Sequence, residues 1–336
     1  MRISRRILFR GAVTLTLAAC VFFALSLSSA RTVLQTARST QEFGVTFSPN
    51  LVRYNGNDPQ KAFAAVIDDL GIRKIRIPVY WDDVESTPGV YNFSDVDWYM
   101  DAAREHGAMV TLAIGVKVPR WPECHEPSWV TDERKHDALL RYLDIVVARY
   151  KDHSALLRWQ VENEPFFPFG DCPAPDVALL NEEIARVRAD DPYTPIQLTV
   201  SGEQEPWAAS ADSADVLGVS MYRFSWSSLF GLVTFPHPPE FYALQAASVA
   251  NDVDRVVISE LQAEPWFSDG VVPVDVAERY AGFTVERLHE HIAFARRTGL
   301  PEIYLWGVEW WYDLAQEGET RLWDGVREEV KKMRNE

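Results

Sequence analysis

Short apolar segments rich in β-branched residues alternate with amphipathic segments along most of the chain, and no other sequence feature restricts the fold as strongly. Eight apolar segments are present, at residues 43–48, 74–80, 109–114, 156–161, 196–200, 216–221, 255–259 and 303–306. Strands with almost continuous apolar sequence are typical of a parallel sheet that is covered by helices on both faces. The pattern therefore predicts eight repeated βα units.

Amphipathic segments separate the predicted strands, and several of them end at a glycine. The predicted helices comprise residues 60–70, 95–106, 137–151, 178–189 and 277–298. Eight βα units close into an α/β fold of the (β/α)₈ TIM-barrel type without further elements, for which about 250 residues suffice. An open doubly wound sheet is the alternative. The glycine-rich phosphate loop of dinucleotide-binding sheets does not follow the first strand, where Phe47-Ser48-Pro49-Asn50 stands instead.

The first 30 residues have the composition of an export signal. Four arginines precede an uncharged apolar run over residues 11–30. The small residues at 28–30 suit cleavage after Ala30, whereas an apolar run of about 20 residues is also long enough to remain as a membrane anchor. A lipidation signal at Cys20 is a third alternative. We expect a signal peptide or signal anchor at 1–30, a linker at 31–41 and one extracytoplasmic barrel domain at 42–336.

Charge and aromatic content restrict the ligand. The net charge of −16 repels phosphate backbones, so nucleic acid is not an expected partner. The chain contains 12 Trp, 12 Tyr and 17 Phe, and many of these rings stand next to Pro, Gly or carboxylates. This pattern favours a cleft that is lined with aromatic rings and binds a neutral ligand.

Two cysteines follow the N-terminal segment, Cys124 and Cys172, and each lies in a proline-rich stretch. An oxidising compartment would allow them to pair. The alternative is two unrelated thiols, because a disulfide needs Cα atoms within about 7 Å and the sequence does not give that distance.

Carboxylates stand where two of the predicted strands end. The fourth strand leads into Asn163-Glu164-Pro165 and the seventh ends at Ser259-Glu260, 96 positions later. In a parallel barrel both strand ends lie on the same rim, where catalytic groups gather. Cleavage of a glycosidic bond needs two carboxyl groups facing one cleft: an acid that protonates the departing oxygen and a carboxylate that meets the developing positive charge.

The same motifs carry a resemblance to a known group of enzymes. Asn163-Glu164-Pro165 matches the Asn-Glu-Pro signature of the retaining glycoside hydrolases of clan A, and Ser259-Glu260 resembles the nucleophile end of that clan. Residues 75–81 and 85–93 are similar to the second-strand segment of family 5 and related cellulase-like or β-galactosidase-like members. The resemblance covers residues 43–313 and supports the barrel.

The resemblance implies roles for individual residues. Glu164 would be the general acid/base and Glu260 the nucleophile, and Asn163 would donate a hydrogen bond to the sugar 2-hydroxyl. Arg76 and Tyr222 would hold Glu260 ionised, because a nearby cation and a donated hydrogen bond both favour the charged carboxylate. Glu164 must instead stay protonated near neutral pH.

Further residues are candidates for sugar contact. Trp306 would stack on a sugar ring, whereas Trp310 and Trp311 are interpreted mainly as core. Family 5 enzymes usually have a histidine after the third strand, where this chain has none, and Lys117 or Trp121 would take over that contact.

Two glutamates near the motifs are assigned differently. Glu264 begins a Glu-Pro-Trp loop and is a candidate sugar ligand. Glu162 is interpreted as structural.

Other chemistries find little support. His289 and His291 are two positions apart on a predicted helix, so they point to different faces and are interpreted as surface residues rather than metal ligands. No metal site and no cofactor motif is predicted. The resemblance to clan A implies a retaining glycosidase that cleaves β-linked sugars. The alternatives are a membrane-anchored transglycosylase, which would share every residue named, and a catalytically silent carbohydrate-binding barrel.

Overall fold

The structure, a computed structural model, describes residues 41–227, 229–267 and 270–335 of the 336-residue chain. Eight parallel strands form a closed barrel, which confirms the predicted (β/α)₈ TIM-barrel fold. In chain order they are β1 (Glu42–Thr46), β2 (Lys74–Pro78), β3 (Met109–Ile114), β4 (Leu156–Val161), β5 (Ile196–Ser201), β6 (Val216–Met221), β9 (Arg255–Gln262) and β10 (Glu302–Trp306). Pairing of β10 with β1 closes the barrel.

Two further strands leave the barrel after β6. They are β7 (Phe224–Ser227) and β8 (Gly231–Thr234), which pair as an antiparallel hairpin. This hairpin was not predicted from the sequence. Its tip exposes the apolar side chains of Leu229 and Phe230.

Helices surround the barrel. Their bounds are Pro49–Tyr54, Pro59–Asp68, Trp81–Val84, Ser94–Glu105, Asp132–Tyr150, Val177–Asp190, Ala208–Ala211, Pro239–Ser248, Val276–Gly282, Val285–Arg297, Val308–Gln316 and Arg321–Arg334. Local chemistry fixes several helix starts: the carboxylate of Asp58 accepts hydrogen bonds from two N–H groups of the following helix, and Pro59 takes its first position. The main apolar core lies between the barrel and these helices.

The predicted helix over 277–298 was wrong in one respect, because the chain forms two helices there. The first ends at Gly282, Phe283 is extended, and Thr284 precedes the second. A Cβ atom at position 282 would lie 2.7 Å from the ring of Phe267, so only glycine permits this close packing.

His291 was also placed wrongly by the sequence analysis, which put it on the surface. It is buried on the second of these helices, and its Nδ1 lies 2.8 Å from the carbonyl oxygen of Gln262 at the end of β9. Burial lowers the pKa of His291 to about 4, so the ring is neutral near pH 7.

Cys124 and Cys172 form a disulfide with a Cα–Cα distance of 5.3 Å, which confirms the pairing alternative. The bond joins the segment after β3 to the segment after β4. Among the described residues, no helix combines the length and the apolar character needed to cross a bilayer. The predicted leader lies outside the described part of the chain, and so does the predicted linker except for Gln41.

Candidate active site

The candidate site lies at the carboxyl end of the barrel. Glu164 follows β4, and Glu260 lies near the end of β9. The pairing register between β6 and β9 shifts at this point: Val219 pairs with Ile258, whereas Ser220 pairs with Glu260. Such bulges re-aim side chains next to functional sites. Glu164 and Glu260 are both buried, with 8% and 3% relative exposure.

Both carboxylate oxygens of Glu260 accept hydrogen bonds. Arg76 donates from Nη1 to Oε1 over 2.8 Å, and the Tyr222 hydroxyl donates to Oε2 over 3.0 Å. Burial, followed by the charge of Glu260, raises the pKa of Tyr222 well above its ordinary value, so the phenol keeps the proton that it donates. A cation and a hydroxyl therefore bind the two oxygens of Glu260, and such charge-assisted hydrogen bonds are stronger than neutral ones.

Glu164 has the opposite surroundings. Burial raises its pKa well above the ordinary value for a glutamate, and the charge of Glu260 adds to this effect. The ion pairs of the described residues include none to the Glu164 carboxylate. Its backbone N–H donates to the hydroxyl oxygen of Thr199 over 2.7 Å, which fixes the chain in a positive-φ conformation (φ 42°).

Asn163 connects to the nucleophile side through Arg76. The guanidinium donates from Nη2 to Oδ1 of Asn163 over 2.6 Å, while its Nη1 binds Glu260. The Nε of Arg76 also donates a hydrogen bond to Oε1 of Gln160 over 2.7 Å. Because the Oδ1 of Asn163 is occupied in this way, its Nδ2 is left to donate, and it does so to Oε2 of Glu123 over 3.0 Å.

Glu123 is a third buried carboxyl group, and sequence reasoning missed it. Its pKa is raised to about 7 by burial and then by the charge of Glu260. It lies in an irregular segment after β3 with φ 75°, so no strand end pointed to it. The only available signal was its place beside Cys124, within the proline-rich segment that the disulfide anchors.

The hydrogen bonds of Glu162 agree with the prediction that this residue has a structural role. Its two oxygens accept hydrogen bonds from the backbone N–H groups of Val116 and Lys117, at 2.7 and 2.6 Å. Gly115 has φ 121°, and a Cβ atom there would lie 2.3 Å from Oε1 of Glu162. Glu162 therefore shapes the segment after β3.

Lys117 and Trp121, the two candidates for the missing histidine's contact, have different surroundings. The ammonium of Lys117 donates to the carbonyl oxygens of Glu164 and Phe167, at 3.0 and 2.6 Å, so it holds the loop after β4. Trp121 is 65% exposed. Its ring meets Phe169 edge-on with the centroids 6.2 Å apart.

This contact belongs to a row of rings that reaches Glu260. Phe169 lies 6.2 Å from Trp266, and Trp266 lies 6.2 Å from Tyr222, whose hydroxyl binds the nucleophile candidate. We call Trp121, Phe169, Trp266 and Tyr222 the aromatic row.

Trp306 and Glu264, two further predicted sugar contacts, are both bound by Arg120. The guanidinium lies over the Trp306 ring, 4.0 Å from its centroid, and forms ion pairs with Glu264 and with the buried Glu309. Arg120 was not predicted, because it lies in an irregular segment with φ 87°. Glu309, on the helix Val308–Gln316, was not predicted either.

The other two tryptophans of this region have core surroundings. Trp311 is fully buried and donates to the carbonyl oxygen of Ala263, and Trp310 packs against Phe267. Among the described residues, no group of three or more His, Cys, Asp and Glu is arranged to hold a metal ion.

Solved structures of glycoside hydrolases share this fold. An exo-β-1,4-mannosidase from Opitutaceae bacterium strain TAV5 superposes with a TM-score of 0.52 at 17% identity, covering 80% of this chain and 52% of that one. GH5_18 from Streptomyces cattleya, in complex with GlcNAc, gives 0.56 at 17% identity, with 80% and 70% covered. A β-galactosidase from Bacillus circulans sp. alkalophilus gives 0.56 at 12% identity, with 88% and 56% covered.

The chain spans about half the length of the mannosidase and β-galactosidase chains, and at these identities the likeness is one of fold. The family assignment comes from the sequence. Residues 33–219, more than half of the chain, match the cellulase family, so the chain belongs to glycosyl hydrolase family 5.

Proposed function

We propose that the protein is a retaining glycosidase that cleaves β-linked sugars by double displacement, with Glu260 as nucleophile and Glu164 as acid/base. One observation carries the proposal. Glu260 is bound by a cation and a phenol, whereas Glu164 has no cationic partner among the described residues and its pKa is raised by burial and by the charge of Glu260. Two carboxyl groups whose surroundings separate their protonation states are the pattern of an acid and a nucleophile.

The proposed first step moves one proton and exchanges one bond. Glu164 gives its proton to the glycosidic oxygen, the bond from that oxygen to the anomeric carbon breaks, and a Glu260 oxygen bonds to that carbon from the opposite face. In the second step Glu164 takes a proton from water, the water oxygen bonds to the anomeric carbon, and the ester to Glu260 breaks. Two inversions return the β configuration.

The aromatic row supports an oligosaccharide or polysaccharide substrate. Its rings start at Tyr222, beside Glu260, and end at the exposed Trp121. Aromatic faces bind the apolar faces of sugar rings. A bound chain would follow these rings away from the two glutamates. The similar structures act on β-mannosides and β-galactosides, so both sugars belong in a substrate panel beside β-glucosides.

We also propose that the barrel works outside the cytoplasm. The disulfide supports this location, because such bonds persist in oxidising compartments. Fusing residues 1–41 to a reporter that is active only after export tests the leader. Reporter activity is the expected result, and an inactive fusion would contradict the proposal.

Azide rescue tests the two assignments. We expect Glu260→Ala to lower kcat on an aryl β-glycoside by roughly 10⁴-fold or more, because no covalent intermediate can form. Azide should restore part of the rate by attacking from the nucleophile's side, which gives the inverted α-glycosyl azide. Glu164→Ala should give the retained β-azide, since Glu260 still forms the intermediate. The products are identified by NMR.

The matched control is Glu126→Gln, which removes a carboxylate that is paired with Lys135. It should keep wild-type activity. An inverted azide product from Glu164→Ala alone would reverse the two roles. Products lengthened by an added acceptor sugar would identify transglycosylation.

A further inference from the structure

Glu123 ends a chain of hydrogen bonds that begins at the nucleophile candidate. Glu260 binds Arg76, Arg76 binds the Oδ1 of Asn163, and the Nδ2 of Asn163 binds Glu123. Each contact fixes the orientation of the next group. Arg76 and Glu123 together determine which end of the Asn163 amide is oxygen and which is nitrogen, because only the nitrogen can donate to a carboxylate.

The fold holds Glu123 in place from two sides. Its segment is linked to the loop after Glu164 by the disulfide and by a hydrogen bond from Asp171 N–H to the carbonyl oxygen of Pro122, 2.9 Å long. Gly170 packs directly on it, since a Cβ atom there would lie 2.6 Å from the Cβ of Glu123. Glu123 itself is 4% exposed and has φ 75°. A non-glycine residue held in this conformation is typical of a functional position.

Charged and titratable groups of both kinds surround Glu123. Its single side-chain hydrogen bond among the described residues is to the neutral amide of Asn163. Two cations act on it from further away: Arg76, which is committed to Glu260 and Asn163, and Lys117, which is bound to backbone carbonyls. The charge of Glu260 opposes its ionisation, whereas two further titratable groups that interact with it, Glu164 and the phenol of Tyr80, have raised pKa values. An ionised Glu123 therefore opposes a second negative charge nearby.

We propose that Glu123 is a positioning residue for the glycosidase reaction: its carboxyl group orients the Asn163 amide, and its negative charge keeps Glu164 protonated. This inference rests on the proposed function of Glu164 as the acid. It adds a third carboxyl group to the site, one that acts through two neighbours and forms no bond to the sugar.

Two substitutions separate the two effects. Glu123→Gln keeps an oxygen that accepts from Asn163 but removes the charge, so kcat at pH 5–6 should stay within about threefold of wild type. Because the pKa of Glu123 is about 7, its charge develops above that pH. The alkaline limb of the kcat/KM profile should therefore move to lower pH by about one unit in Glu123→Gln. Glu123→Ala also frees the Asn163 amide and should lower kcat/KM more than tenfold at every pH.

Glu126→Gln, three residues away on the same segment, is the control and should leave the profile unchanged. Thermal unfolding of each variant, read by circular dichroism, identifies any loss of folding. Wild-type cleavage of aryl β-glycosides tests the proposed function separately. An unchanged alkaline limb in Glu123→Gln, with an active wild type, overturns the inference and leaves the function standing.

If the wild type cleaves none of the aryl β-glycosides, a measurement that needs no substrate can still test the proposed effect of Glu123 on Glu164. ¹³C NMR of protein labelled at the glutamate carboxyl carbons follows the titration of Glu164, whose resonance is assigned with Glu164→Gln. We expect Glu164 to lose its proton at lower pH in Glu123→Gln than in the wild type. Coincident titration curves would contradict the proposal.

Discussion

At the scale of single residues, the two glutamates of the site differ in what surrounds them. Arg76 and Tyr222 bind the two oxygens of Glu260, whereas no cation in the described part of the chain pairs with the buried Glu164. Arg76 also binds Asn163, so one guanidinium sets the positions of two proposed functional groups. Lysine, with a single ammonium group, cannot replace the separate donors of this fork.

Tyr222→Phe tests the hydrogen bond to Glu260. The substitution removes one donor from a buried carboxylate and leaves the ring in the aromatic row. Hydrogen bonds to charged groups contribute about 1.5–3 kcal/mol, so kcat/KM should fall about 10- to 100-fold. Steady-state kinetics on an aryl β-glycoside measures this fall in kcat/KM. Tyr54→Phe, at a position 88% exposed, is the control and should behave as wild type. A Tyr222→Phe enzyme of normal activity would show that this bond does not contribute.

The sequence predicted the positions of residues that follow strands better than those of residues in irregular segments. Asn163 and Glu164 belong to a local motif at a strand end, so the barrel fold alone places them at its carboxyl-terminal rim. Glu123 and Arg120 reach the site from a segment with positive φ angles that the disulfide ties to a distant loop. That approach depends on contacts between distant parts of the chain, which local patterns do not encode.

At the scale of secondary-structure elements, β4 and the helix Val177–Asp190 are joined by a pair of buried carboxyl groups. The carboxyl groups of Glu162 and Glu183 interact, and burial, followed by the charge of Glu162, raises the pKa of Glu183 well above its ordinary value. A proton on Glu183 lets both groups stay buried. The pair supports the backbone after β3 through the bonds that Glu162 accepts.

The Glu162–Glu183 pair makes stability depend on pH. Because the folded-state pKa of Glu183 is raised, its contribution is complete below the unfolded value of about 4.3 and is lost as pH rises toward the folded value. In Glu183→Gln this loss should disappear, since an amide donates to Glu162 without titrating. The Tm of the variant relative to wild type should therefore increase from pH 5 to pH 9, as calorimetry would measure.

Glu182→Gln is the control for this pair, because its half-exposed side chain binds His136 on the surface. The Tm of Glu182→Gln relative to wild type should not increase from pH 5 to pH 9. A constant Tm difference between Glu183→Gln and wild type would show that the pair shares no proton.

The strands were predicted closely because each is an apolar run between turn residues, and the bounds of β3, β4 and β6 agree with the prediction. The errors arose where tertiary packing overrides the local pattern. The helix break at Phe283 accompanies the packing of Gly282 on Phe267, and a ring contact between distant segments cannot be inferred from periodicity.

At the scale of the whole molecule, charged residues of different strands meet inside both ends of the barrel. At the carboxyl end they form the candidate site. At the amino end Glu302 on β10 forms ion pairs with Lys74, Arg158 and Arg255, which lie on β2, β4 and β9. Burial opposes the charge of Glu302, yet the charges of Arg158 and Lys74 lower its pKa. This cluster connects strands across the barrel.

Glu302→Gln should destabilise the fold by about 3–5 kcal/mol, because it leaves the buried Arg158 without a carboxylate. Denaturant unfolding at pH 7 measures the loss. Since the folded-state pKa of Glu302 is lowered, its contribution is present above the unfolded value and disappears as pH falls, so wild type and variant should converge in acid. Glu42→Gln removes an exposed partner of Lys74 and should cost less than about 1 kcal/mol. Equal losses in both variants would contradict this account.

The direction of β1 determines how the protein presents its cleft when it is tethered. Glu42 opens β1 at the amino end of the barrel, and the proposed catalytic glutamates lie at the opposite end. A solid support attached upstream of this strand would therefore lie at the amino end of the barrel and leave the carboxyl end, with the candidate site, facing the solvent. Immobilised through that side, the protein would present its aromatic row to an insoluble polymer, whereas a bulky group grafted near Trp121 would obstruct the entrance.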